Sequence, residues 1–159
     1  MKIEDKYLPE SCYGSDDIVP QAIVLHYISA INVDPDNPFD MDKCRKILED
    51  YSFSYHYMIG REGELWQLAP ETKRAFHAGK SEYKGKTNWN QFSIGLCFIG
   101  TDTSGFTDDQ YDEGKRIISW LIDQFPIRDI VGHEDIARSR GKIDPGISTG
   151  NFDLSRVLP

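Results

Sequence analysis

Two uninterrupted apolar runs organise the chain. Ala22-Ile23-Val24-Leu25-His26-Tyr27-Ile28-Ser29 lies between Pro20 and a turn-rich segment over 32–38, and Phe92-Ser93-Ile94-Gly95-Leu96-Cys97-Phe98-Ile99-Gly100 repeats the pattern. Continuous rather than alternating apolar character marks a strand covered on both faces, so each run predicts a central strand. Between them, Met41, Cys44, Ile47 and Leu48 recur at three- and four-residue steps behind Asp40, which predicts a helix capped by Asp40 and ending near Asp50. Residues 53–59 and 63–68 flank Gly60-Arg61-Glu62-Gly63 and read as a hairpin. Thr107 and Gln110 make a capping box ahead of Tyr111, Ile117, Ile118, Trp120, Leu121 and Ile122, predicting the best-defined helix, which stops before Pro126. Ile130-Val131 is a short β-branched strand, and a last short helix spans residues 153–157.

Two stretches lack a period. Residues 1–21 carry Pro9, Gly14, Ser15-Asp16-Asp17 and Pro20 and read as an irregular lead-in packed on the domain. Residues 70–91 form a long loop, and its Phe76, Tyr83 and Trp89 argue for an ordered, functional segment rather than a disordered one. Strands interleaved with helices predict one α/β domain over residues 1–159, with a central mixed sheet flanked by helices.

At 159 residues the chain needs no second core. A formal charge of −8 argues against nucleic acid or an anionic membrane surface as partner, since both are held by positive charge. It leaves room for a small anionic substrate beside local basic residues. No apolar stretch reaches the roughly 18 residues of a membrane helix. The charged start Met1-Lys2-Ile3-Glu4-Asp5-Lys6 is followed by no apolar signal region. Three cysteines, Cys12, Cys44 and Cys97, form no C-x-x-C pair and suit a reducing compartment, so a cytoplasmic location is expected.

Candidate chemistry gathers in residues 132–146, where His133, Lys142 and Asp144 share an irregular segment behind the Ile130-Val131 strand. Imidazole and carboxylate both suit Zn²⁺, and catalytic zinc takes three protein ligands and an open position. Two ligands are too few, and a third must come from elsewhere. His26, inside a buried strand, reads on its own as a core histidine satisfied by a backbone carbonyl.

The order and wording of these segments resemble the zinc-dependent N-acetylmuramoyl-L-alanine amidase family, which includes phage lysins and peptidoglycan recognition proteins. The matching runs are Ile23-Val24-Leu25-His26, Tyr55 through Gly63, Lys73-Arg74-Ala75-Phe76-His77-Ala78-Gly79, Phe92 through Thr103, and Gly132-His133 through Asp144-Pro145-Gly146. The resemblance is strongest to the cytoplasmic 1,6-anhydro-muropeptide amidases of cell-wall recycling. It implies a zinc ion held by His26, His133 and Asp144, with Lys142 stabilising the oxyanion. It implies cleavage of the amide between the muramic-acid lactyl group and L-alanine in peptidoglycan or its fragments, with a muropeptide as partner; a monomer is expected. Recycling enzymes of this kind carry Glu where this chain has Cys97, whereas phage relatives also have Cys there. Tyr55 matches the phage tyrosine that positions or helps to deprotonate the attacking water, and an ordinary phenol with a pKa of about 10 is a poor base. Tyr55 is therefore expected to orient and Cys97 to be a buried strand residue. His77, Arg74 and Asn90 are expected to bind substrate, and His56 to be structural. Two other readings within the resemblance are a phage-type lysin acting on intact wall, reached after lysis or by a non-classical route, and a recognition module that binds without hydrolysis. Such modules lack the third ligand, and Asp144 favours the enzyme.

Overall fold

Both apolar runs lie in the middle of a six-stranded sheet in the computed structural model, which describes residues 1–159. In chain order the elements are β1 (Ile3–Asp5), β2 (Tyr13–Asp17), β3 (Ala22–Ile28), α1 (Met41–Tyr51), β4 (Tyr57–Ile59), β5 (Leu65–Gln67) and β6 (Lys73–Ala75). There follow β7 (Glu82–Tyr83), β8 (Lys86–Thr87), β9 (Ser93–Ile99), α2 (Asp108–Gln124), β10 (Asp129–Gly132) and α3 (His133–Ile136). The main sheet runs β1-β5-β4-β9-β3-β10, with all neighbours parallel except the β4–β5 hairpin. β2 pairs with β6 and β7 with β8 in two small antiparallel sheets.

Strand alternation sends β3 and β9 to two different surroundings. Ile23, Leu25, Ile94, Leu96 and Phe98 face a core closed by Ile117, Ile118 and Leu121 of α2 and by Phe152 and Val157. On the opposite face, Met41, Cys44 and Leu48 of α1 pack over Met58, Trp66 and Ile99. His26 and Cys97 are register partners on that second face. Both predicted caps are present: Asp40 accepts from Lys43 N at 2.9 Å, and Thr107 and Gln110 bond reciprocally. No helix is long and apolar enough to cross a membrane.

Four expectations are corrected. The lead-in is not wholly irregular, since β1 extends the sheet beside β5 and β2 pairs with β6. Neither strand shows alternation because polar contacts hold them, with Asp17 on Lys73 at 2.6 Å, Asp16 on Arg74 at 3.1 Å and Glu4 accepting from Trp66 Nε1 at 2.8 Å. The long loop over 70–91 contains β6, β7 and β8, too short to carry a period. The first hairpin strand begins at Tyr57 rather than Phe53, because Ser54 turns aside to donate to Cys12 O (2.7 Å) and accept from Phe76 N (2.9 Å). Finally, His133 opens a short helix, α3, at the point where a loop was expected.

Candidate active site

His26, His133 and Asp144 converge from β3, α3 and the segment after it. Their ligand atoms all lie within 4.8 Å of one another. His26 Nδ1 stands 3.1 Å from Asp144 Oδ2, and His133 Nδ1 stands 3.1 Å from Asp144 Oδ1. Neighbouring ligands of a tetrahedral zinc with bonds of about 2.0–2.1 Å are separated by about 3.3 Å, close to these spacings.

For neutral rings, the hydrogen bonds behind the imidazoles assign the proton to Nε2. Ser93 Oγ donates to Trp89 O (2.5 Å), so it accepts from His77 Nε2 (3.3 Å). His77 Nδ1 is then an acceptor and takes the Nε2 proton of His26 at 3.0 Å. His133 Nε2 faces Ala78 O at 3.0 Å and donates to it. Both Nδ1 lone pairs therefore point at the Asp144 carboxylate. In that form two imidazole nitrogens and a carboxylate converge as acceptors, an arrangement complementary to a cation. Burial holds His26 down to about 4 in spite of its Asp144 contact, with His133 nearby acting in the same direction, so the ring stays neutral near pH 7. A neutral His/His/carboxylate set fits zinc.

Around this centre lies a cleft of about 640 Å³, lined among others by Tyr55, His77, Asn90, Lys142 and Asp144. Tyr55 stacks obliquely near His26, ring centroids 4.8 Å apart. Its phenol is pushed well above its ordinary value by burial first, then by Cys97 and Asp144, so it remains protonated. Burial also raises the Cys97 thiol well above its usual value. Asn90 lines the cleft, but its Oδ1 is committed to His77 N and Ala78 N at 3.1 and 2.8 Å. Arg74 is not brought into the lining; Asp16 holds it, and it lies over the Phe76 ring at 5.3 Å. His56 is structural, accepting from Gly95 N (2.9 Å) and donating to Lys73 O (2.8 Å). Gly95 itself is required by close approach: a Cβ there would sit 2.7 Å from His77 Cγ.

Two roles had no sequence signal strong enough to find them. His77 lines the cleft as expected, yet it also fixes the tautomer of His26. Glu134, buried in α3, accepts from Gly146 N (3.0 Å), Ile147 N (2.5 Å), Ser148 N (3.1 Å) and Ser148 Oγ (2.6 Å), while its own N–H donates to Asp144 O at 2.9 Å. One carboxylate thus ties down the chain on the far side of Asp144. Glu134→Gln sets an amide NH₂ against backbone donors, and zinc affinity measured by chelator competition is expected to fall roughly 10–100-fold, as for partners behind metal ligands generally. Unchanged affinity would show that Asp144 is held by other contacts.

A mixed sheet with a His/His/Asp centre at the C-terminal end of β3 defines the class: an α/β domain built around a candidate hydrolytic metal site. Residues 16–147 match the family model described as N-acetylmuramoyl-L-alanine amidase, and the chain belongs to that family. It is 45% identical over 105 residues to the 1,6-anhydro-N-acetylmuramyl-L-alanine amidase AmpD of Escherichia coli K12, an alignment covering 65% of this chain and 55% of that relative. A crystal structure of a selenomethionine AmpD derivative superposes with a TM-score of 0.78 at 33% identity, covering 98% of this chain and 92% of the other. The E. coli amidase AmiD, in complex with anhydro-N-acetylmuramic acid-L-Ala-D-γ-Glu-L-Lys, superposes at 0.66 with 26% identity over 89% of this chain and 56% of that one.

Proposed function

We propose that this protein is a zinc amidase that cuts the amide between the lactyl group of an N-acetylmuramic or 1,6-anhydro-muramic acid and L-alanine, acting on soluble peptidoglycan fragments. The observation that carries the reading is the convergence of His26, His133 and Asp144, whose ligand atoms all lie within 4.8 Å of one another. These three residues would hold the metal. When bound, zinc supplies Lewis acidity and a water acidic enough to be a nucleophile near neutral pH. Lys142, on the cleft wall two residues before Asp144, meets the carbonyl oxygen as it gains negative charge. Tyr55 keeps its proton and orients the attacking water by hydrogen bonding.

The likeness to AmpD and to the muropeptide-bound AmiD supports a fragment substrate. The net charge of −8 also suits a small fragment better than adhesion to an anionic wall. Mass spectrometry of products from an anhydro-muropeptide and from intact sacculi, run in parallel, tests this. Free stem peptide beginning with L-alanine is expected chiefly from the fragment. Release from sacculi at an equal or greater rate would favour a lysin, and intact substrate in both arms would leave only a binding module.

Tyr55 and Cys97 separate cleanly by substitution. Tyr55→Phe keeps the ring beside His26 and is expected to slow the chemical step with zinc retained, while Cys97→Ser changes turnover little. The reverse outcome in single-turnover kinetics would place the water's partner on β9 instead.

A further inference from the structure

The two walls of the cleft differ in kind. One comes from Arg140-Gly141-Lys142-Ile143, and its charged groups are cationic. The other is apolar, built from Leu48 of α1 with Phe53 and Phe76. At the outer edge of the apolar wall, Tyr51 and Phe53 stack with ring centroids 6.4 Å apart and planes within 10°. These rings are 70% and 56% exposed, the largest aromatic faces left in water near the site. Their arrangement is built by the backbone: Ser52 caps α1 in the left-handed conformation at φ 55°, and Phe53 N donates back to Leu48 O at 2.9 Å. The turn therefore holds alternate residues 51 and 53 on one side, outside the protein's own core.

We infer that the Tyr51–Phe53 pair is a saccharide subsite that receives the N-acetylated sugar ring of the substrate, an assignment that rests on the amidase reading. An aromatic face carries negative quadrupole density, and the C–H-rich face of a pyranose with its acetyl methyl is the complementary partner. A neutral acetylated sugar gains nothing from the Arg140 guanidinium, whereas the carboxylates of a stem peptide do. Phe53 lines the same cleft as His133 and Asp144 and Tyr51 extends its face outward, so one ligand can touch the ring pair and the metal site. A flat, stacked pair exposed on a chain of net charge −8 is otherwise apolar area left in water.

The test compares two substrates on the zinc-loaded protein: an N-acetylmuramoyl peptide and the same peptide carrying only the lactyl group. The wild type is expected to prefer the sugar-bearing substrate in kcat/KM. In Tyr51→Ala/Phe53→Ala the ratio of the two kcat/KM values is expected to drop about tenfold through KM, the scale for losing two aromatic contacts. Tyr51→Phe/Phe53→Tyr, which keeps both rings, should restore it. Both positions are exposed, and an unchanged melting temperature will confirm that folding is intact. A ratio within twofold of wild type in the alanine variant, or no sugar preference in the wild type, overturns the subsite. Failure of the wild type to cleave either compound overturns the amidase reading itself, and the subsite with it.

Discussion

Asp144→Ala gives a folded protein that retains no zinc and shows no turnover. Removing the carboxylate leaves His26 and His133 as two neutral ligands, short of the three that a catalytic zinc site uses. The fold survives because its interior is built elsewhere. One sheet face is closed by Ile117, Ile118 and Leu121 and the other by Met41, Cys44 and Leu48, all of which are supplied by α1 and α2 and not by the segment around Asp144. Glu134 remains to hold residues 146–148. Metal analysis and circular dichroism of the purified variant check both halves. A globally unfolded variant would make the metal structural, and retained stoichiometric zinc would remove Asp144 from the ligand set.

Lys142→Ala keeps its zinc and loses about 10²–10³ in kcat, the range for removing one group that stabilises a developing oxyanion. The side chain sits on the cleft wall with Gly141 and Ile143 and is exposed, so folding does not depend on it. The loss should fall on kcat rather than KM, because the carbonyl oxygen becomes anionic only as the reaction proceeds. A rise in KM with kcat unchanged would make Lys142 a contact for the stem peptide instead.

The fold's centre was legible because burial on both faces writes itself into sequence as the continuous runs of β3 and β9, and because α1 and α2 carry side-chain caps. Its margins were not. β1 and β2 are three and five residues long, and Glu4, Asp16 and Asp17 hold them through partners at 66, 74 and 73. The same separation hid part of the site. His26 shows only as a histidine in an apolar strand, since His77 and Asp144 lie 51 and 118 residues away. The family pattern placed His133, Lys142 and Asp144 near their positions in the cleft, but it said nothing of Glu134. That residue's partners are mostly backbone N–H groups, which leave no trace in side-chain identity. Arg74 shows the opposite case: a residue in a matched run is claimed by Asp16 of β2, a strand the sequence did not predict.

The most direct test depletes the protein of metal with a chelator, restores one equivalent of zinc, and weighs the products formed from an anhydro-muropeptide at each stage. The account predicts no cleavage after depletion. On restoration it predicts two products, the anhydro-muramic acid bearing its free lactyl carboxylate and the stem peptide with an L-alanine amino terminus. Cleavage that persists without metal, or a cut at any bond other than lactyl to L-alanine, would contradict it.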